Sequence, residues 1–311
     1  MFQPTRHKYS EPGKMSIETE DVYIHNGADV VLHGWRLPSV GQTRGSVVFL
    51  HGNAENISSH IGGVYWLPRH GYEVFLFDYR GYGRSTGQVG LDGVMHDAQR
   101  MIKYAREHAS SADQCVTVLG HSMGGSIAIY ALAHLPDKLG VNGLIAISAF
   151  SDYHQITRDA LASHWLTRPL RWPLSFTVSN RYRPVDAIGK LSPIPVVVLH
   201  SEADEIIPKY HAQQLFDSAR PPRYQKKLEG THNEVLALSR NHDRLLEILG
   251  ALNPTADIST MNGLISTSDR RCGQSKGGAN PVKKSQKSGL NSPGEAVPVS
   301  YTHLRAHETE R

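Results

Sequence analysis

Val116-Thr117-Val118-Leu119-Gly120-His121-Ser122-Met123-Gly124-Gly125-Ser126-Ile127-Ala128-Ile129-Tyr130-Ala131-Leu132 decides how this chain folds. An apolar strand run passes into a helical pattern through Gly120-His121-Ser122-Met123-Gly124. A turn that sharp needs neighbours with little or no side chain at 120 and 124, and it leaves a hydroxyl at 122 standing clear of the backbone. The helix start also aims unpaired N–H groups at the space beside Ser122. Alone, a Gly-x-Ser-x-Gly pattern arises by chance about 0.1 times in a chain of this length. Its weight comes from its place between a strand and a helix.

Outward from that turn, short β-branched runs alternate with longer helical patterns. Strands are expected at 21–25, 30–37, 46–51, 73–77, 115–120, 143–147, 195–201 and 224–229, and helices at 57–70, 92–108, 123–135, 209–219 and 234–249. The first two strands alternate apolar with polar residues, as an antiparallel edge pair does. Val47-Val48-Phe49-Leu50 and Val196-Val197-Val198-Leu199 are continuously apolar, like parallel strands covered on both faces. The reading is an α/β fold with an eight-stranded, mostly parallel sheet, helices on both faces, and no internal repeat. Residues 150–190 break the alternation. They interleave Phe150, Tyr153, Trp165, Leu166, Trp172 and Phe176 with Arg158, Arg168, Arg171, Arg181 and Arg183, the pattern of a small cap insertion or of a connecting helix packed on the domain.

The chain has 311 residues, 39% apolar and 20% charged, which suits a globular protein with a substantial core. Cys115 and Cys272 are too few for a disulfide framework or a cysteine-rich metal site, so a reducing, cytoplasmic setting is expected. No run of about 18 apolar residues or signal-peptide core is present. No membrane span is expected in the chain as given, although an upstream start would leave room for an anchor and membrane association. The +4 net charge divides unevenly. Residues 1–250 hold 25 Lys+Arg against 24 Asp+Glu, giving +1, and residues 251–311 hold 8 against 5, giving +3. The excess belongs to a polar, aromatic-poor stretch expected to be a disordered tail over 251–298. Lys283, Lys284 and Lys287 lie there without interleaved aromatics, so no nucleic-acid partner is inferred. Val299-Ser300-Tyr301-Thr302-His303-Leu304-Arg305-Ala306-His307-Glu308-Thr309 resembles a translated sequencing adapter, and 299–311 is read as an artefact. The expected layout is an N-terminal extension over 1–17, one domain over 18–250, and these two segments.

A serine hydroxyl needs a base with a pKa near 7 and a group that orients that base. His232 follows the last strand directly and precedes the last helix, at the sheet edge where a base must sit. His51, His121 and His200 are rival edge histidines. Asp204, in the loop after the strand ending at Ser201, is the chosen carboxylate; Glu202, Glu205 and Asp152 compete with it. The order Ser122, Asp204, His232 is the one this topology allows. Two backbone donors would receive a developing oxyanion: Met123 N–H, and Asn53 N–H with Ala54 close behind, on a loop where Gly52 is expected to let the backbone turn.

His51-Gly52-Asn53-Ala54-Glu55-Asn56, Phe77-Asp78-Tyr79-Arg80-Gly81-Tyr82-Gly83-Arg84-Ser85, Gly120-His121-Ser122-Met123-Gly124-Gly125, His200-Ser201-Glu202-Ala203-Asp204 and Gly230-Thr231-His232-Asn233-Glu234 together resemble the α/β-hydrolase superfamily. The nearest branch is the serine-aminopeptidase-like (Hydrolase_4-type) group. The likeness spans about 18–250 and implies the α/β-hydrolase fold with the roles argued above. It also implies that Asp78 and Arg80 support their loop. Ser201 departs from the pattern, since many relatives have Gly there.

The expected activity is that of a serine hydrolase acting on a small-molecule acyl substrate, with no cofactor and no metal, since no His-Glu-x-x-His or Cys/His cluster is present. A carboxylic ester or thioester is favoured over a peptide, because an aromatic, arginine-bearing insertion suits an apolar acyl chain. The alternatives are a serine peptidase or aminopeptidase, and a ligand-binding pseudoenzyme.

Overall fold

The computed structural model describes residues 2–110, 115–138, 140–163 and 165–253. The readings made for Cys272, the basic tail and residues 299–311 lie outside the described residues.

Ten strands form among them: β1 (Gln3–Pro4), β2 (Glu20–His25), β3 (Val31–Leu37), β4 (Gly45–Leu50), β5 (Ala54–Glu55), β6 (Tyr72–Phe77), β7 (Val116–His121), β8 (Val141–Ile147), β9 (Val196–Ser201) and β10 (Arg223–Leu228). Eight of them make one sheet in the order β10-β9-β8-β7-β4-β6-β3-β2. The β2–β3 and β3–β6 pairs are antiparallel, and the other pairings in that sheet are parallel. All eight expected strands are present, each boundary falling within two residues.

The continuously apolar strands are explained by what covers them. In β4, Val47 and Phe49 join a core with Ile57, Ile61, Leu245 and Ile248, while Val48 and Leu50 join another with Val94, Met101 and Ile127. Alternate side chains of one strand thus enter two helical layers, and neither face can be polar. Eight α-helices form among the described residues, α5 packing on α4 and not on the sheet: α1 (Ile57–His60), α2 (Leu91–His108), α3 (Met123–Ala133), α4 (Tyr153–Ala162), α5 (Arg171–Ser175), α6 (Pro184–Ala187), α7 (Tyr210–Ser218) and α8 (Ser239–Leu252). In α2 the buried residues Val94, Ala98, Met101 and Ala105 recur every three or four positions, with Met95 and Ile102 beside them, which gives one apolar stripe. Helix α3 is buried almost throughout, as befits a helix in the middle of the sheet.

Two helix expectations need correction. Residues 57–70 are not one helix; α1 gives way to 3₁₀ turns at Ile61–Gly63 and Leu67–His70. Gly62-Gly63 weakens the helical backbone, and Pro68 removes a donor. The last helix starts at Ser239, five residues later than expected. Asn241 fixes that start: its amide donates to the carbonyls of Glu229 and Val235, and its Oδ1 accepts the Glu229 N–H, folding residues 231–238 into turns.

Candidate active site

Ser122 sits on the turn between β7 and α3 with φ 55° and ψ −124°, a left-handed conformation rare for a residue with a side chain. Such strain costs about 1–3 kcal/mol and persists only where the surroundings enforce it. Here Ser122 N–H donates to the Ile147 carbonyl at 2.8 Å, and Gly125 N–H donates to the Ser122 carbonyl at 3.0 Å. The flanking glycines are required by space. A Cβ on Gly124 would lie 2.0 Å from the Leu50 carbonyl oxygen, and one on Gly120 would lie 2.6 Å from that of Gly124. Gly52 behaves differently from the sequence expectation. It is not among the residues with positive φ, and a Cβ there would meet His60 Cε1 at 3.4 Å and Ser122 Cβ at 3.6 Å. Its bare Cα leaves space beside the serine; it does not make the turn possible.

The loops after β9 and β10 bring Asp204 and His232 together. His232 Nδ1 lies 3.0 and 2.9 Å from the two Asp204 oxygens, with both side chains buried. Asp204 Oδ1 also accepts the N–H groups of Ile206 (3.0 Å) and Ile207 (2.8 Å). Burial would raise the Asp204 pKa, but the hydrogen bond and charge of His232, helped by the Ile207 N–H, outweigh it and hold the carboxyl at about 2. His232 is fixed through its backbone as well: its N–H donates to Glu205 Oε2 and its carbonyl accepts from His121 Nε2, each at 3.1 Å. The His121 and His232 rings lie 4.9 Å apart. Burial, with the neighbouring His232 and His60, pushes the His121 pKa well down, so His121 is a neutral donor beside the serine. No direct Ser122–His232 hydrogen bond is present among the described residues; such bonds often tighten only around substrate.

Three of the rival residues have other partners. Glu202 is exposed and paired with Lys227, and Asp152 caps α4 while binding Arg183 and Asn180. His51 Nδ1 faces the Gly52 carbonyl at 2.8 Å, and its ring stacks 5.0 Å from that of His60. Ser201 gains a reason to be serine. Its hydroxyl donates to the Gly230 carbonyl at 2.5 Å and accepts the Ala203 N–H at 3.1 Å, tying the Asp204 loop to the His232 loop. Ser201→Ala should therefore cost about 1–2 kcal/mol of stability in urea unfolding. An unchanged midpoint and slope would show that the two loops hold without it.

The loop holding Asn53 and Ala54 is braced from three sides. Tyr82 hydroxyl donates to the Asn53 carbonyl at 2.7 Å, His60 Nε2 lies 2.9 Å from the Ala54 carbonyl, and Asp78 Oδ1 accepts the Ile57 N–H at 2.9 Å. Arg80 forms a forked pair with the fully buried Asp97, with contacts of 2.7–3.1 Å. The N-terminal segment adds a further brace. β1 pairs with β5, and the Asn56 side-chain amide donates to the carbonyls of Thr5 (3.0 Å) and His7 (2.7 Å). Sequence reasoning missed the roles of Asn56, Tyr82 and Glu205; only the Asn-then-helix pattern at 56–58 hinted at a cap.

A second Ser-His-Asp chain lies elsewhere. Ser151 Oγ lies 2.7 Å from His211 Nδ1, and His211 Nε2 lies 3.1 Å from Asp159. Ser151 and His211 are fully buried, and the serine hydroxyl also donates to Gln214 Oε1 at 2.5 Å. It braces α4 against α7 and is closed to any substrate.

A serine on a strained strand-to-helix turn at the carboxyl edge of a doubly wound sheet, with the acid and histidine on later edge loops, is the architecture of α/β hydrolases. The family model described as serine aminopeptidase, S33 (Hydrolase_4) matches residues 41–185. The uncharacterized protein YfhR of Escherichia coli (strain K12) is 30% identical over 253 residues, covering 78% of this chain and 84% of that one. The chain belongs to the Hydrolase_4 family of α/β hydrolases. The lysophosphatidylserine lipase ABHD12 of Mus musculus is 28% identical over 210 residues, 61% of this chain and 49% of that one. In fold, the chain is similar to the Pyrococcus furiosus esterase Pf2001, with a TM-score of 0.62 at 22% identity over 81% of this chain and 98% of that one. Among the described residues no helix is long and apolar enough to cross a membrane, and no group of three or more His, Cys, Asp or Glu side chains is placed to hold a metal.

Proposed function

We propose that this protein is a serine hydrolase that cleaves a carboxylic ester or thioester through an acyl-enzyme, with Ser122 as nucleophile, His232 as base and Asp204 as its orienting acid. The observation that carries the reading is the His232 Nδ1 contact to both Asp204 oxygens, at 3.0 and 2.9 Å. With Nδ1–H donated there, Nε2 is left as the proton acceptor. Ser122 Oγ attacks the substrate carbonyl carbon as its proton passes to Nε2, and the carbonyl π electrons move onto oxygen. Met123 and Asn53 N–H groups receive that oxyanion, each such donor being worth about 3 kcal/mol in the transition state. Collapse expels the alcohol or thiol, which takes the proton from His232. Water then attacks the acyl-serine by the same route in reverse roles and releases the acid.

An ester is favoured over a peptide because the mouse relative is named a lipase and a structural neighbour an esterase. Fluorophosphonate labelling, combined with p-nitrophenyl esters of increasing acyl length, tests the reading. Labelling at Ser122 with ester turnover is expected. Folded protein that takes no label would make this a ligand-binding member of the fold, and preferential cleavage of aminoacyl amides would make it a peptidase.

A further inference from the structure

The connection from β8 to β9 leaves the sheet at the edge where Ser122 sits, and it carries an apolar surface that the described residues leave exposed. Within twelve residues Trp165 is 82% exposed, Leu166 65%, Trp172 52% and Phe176 66%. Scattered exposed apolar side chains are ordinary, but large ones crowded into one short segment mark a surface that meets something. Between Asp159 and Asp186 the charged side chains have one sign. Residues 160–185 contain Arg168, Arg171, Arg181 and Arg183 and no Asp or Glu. Arg183 is engaged by Asp152 and Asp186, whereas Arg168 and Arg171 have no acidic partner among the described residues. Arg158 lies over the Trp172 ring, 4.4 Å from its centroid, which sets a further cation beside one of these aromatics.

Tryptophan and arginine share a property that aliphatic residues lack: an apolar body with a polar end, suited to the boundary between acyl chains and headgroups. We propose that residues 165–176 dock on an anionic lipid bilayer. Trp165, Leu166, Trp172 and Phe176 enter the headgroup boundary, and Arg168 and Arg171 meet lipid phosphates. The proposal does not depend on the hydrolase reading, because its readout is binding.

The test uses the full chain with phosphatidylcholine vesicles, with and without phosphatidylglycerol. Trp35 and Trp66 are buried, so a lipid-induced blue shift and quenching by brominated acyl chains report on Trp165 and Trp172. Both signals are expected with the anionic vesicles. Trp165→Ser with Phe176→Ser should lower partitioning at least tenfold, with an unchanged melting temperature because both sites are exposed. Arg168→Gln with Arg171→Gln should lower it roughly 25-fold, at about fivefold for each arginine near an anionic surface. Absence of vesicle binding overturns the proposal. So does full binding by the Trp165→Ser, Phe176→Ser protein, which would assign the attraction to tail lysines such as Lys283 and Lys284. A dimer that this variant dissociates, without any vesicle binding, would make the face a contact between two copies of the chain.

Discussion

Ser122→Ala is expected to lower kcat for ester hydrolysis by about 10⁴-fold or more while leaving the fold intact. In the proposed mechanism nucleophile, base and acid act as a unit, so removing the serine forfeits nearly everything the three supply together. The remaining rate comes from substrate binding and the oxyanion donors, which the substitution leaves in place. Ala and Ser are both strained at φ 55°, and the backbone bonds to Ile147 and Gly125 do not involve the hydroxyl. Stability should therefore change by less than about 1 kcal/mol, measurable by thermal unfolding. Two buried serines near the turn offer no replacement. Ser126 is buried with its hydroxyl donated to the Phe150 carbonyl at 2.7 Å, and Ser151 is held by His211 and Gln214. Wild-type turnover in Ser122→Ala would move the nucleophile out of this turn altogether.

The sheet was legible because its strands are covered on both faces. Residues 47–50 and 196–199 must be apolar at every position, and that run is visible without knowing any partner. The Ser122 turn was equally legible, since Gly120 and Gly124 are demanded by backbone contacts that follow from the turn itself. What escaped reading depends on contacts distant in sequence. Asn241 delays the last helix by gripping residue 229, and Ser201 earns its place through the carbonyl of Gly230. Asn56 does the same for Thr5 and His7, tying down an N-terminal segment whose own composition gives no periodic signal. Asp204 was the carboxylate chosen from the sequence, and it is the one of the three at 202–205 whose side chain meets the His232 ring.

Asp204→Asn gives the second large effect: a loss of about 10⁴-fold in kcat at neutral pH, with Ser122 still in place. Asp204 Oδ1 receives N–H groups from Ile206 and Ile207, and both oxygens face His232 Nδ1. An asparagine that keeps its oxygen toward the two backbone amides must turn its NH₂ toward His232. Nδ1 then becomes an acceptor, the proton moves to Nε2, and the imidazole can no longer take a proton from Ser122. The same substitution should change the acid stability of the protein. The carboxyl is held at about 2 in the fold against 3.8 for an unperturbed aspartate, so its stabilisation is fully present above pH 3.8 and is lost as the pH falls toward 2. That contribution is about 2 kcal/mol. The gap in unfolding free energy between wild type and Asp204→Asn should hence shrink as the pH falls below about 4. Near-normal turnover by Asp204→Asn would pass the orienting role to another carboxylate. Glu205 would be the candidate, since its Oε2 already holds the His232 N–H at 3.1 Å, whereas Asp152 is bound to Arg183 at 2.7 Å.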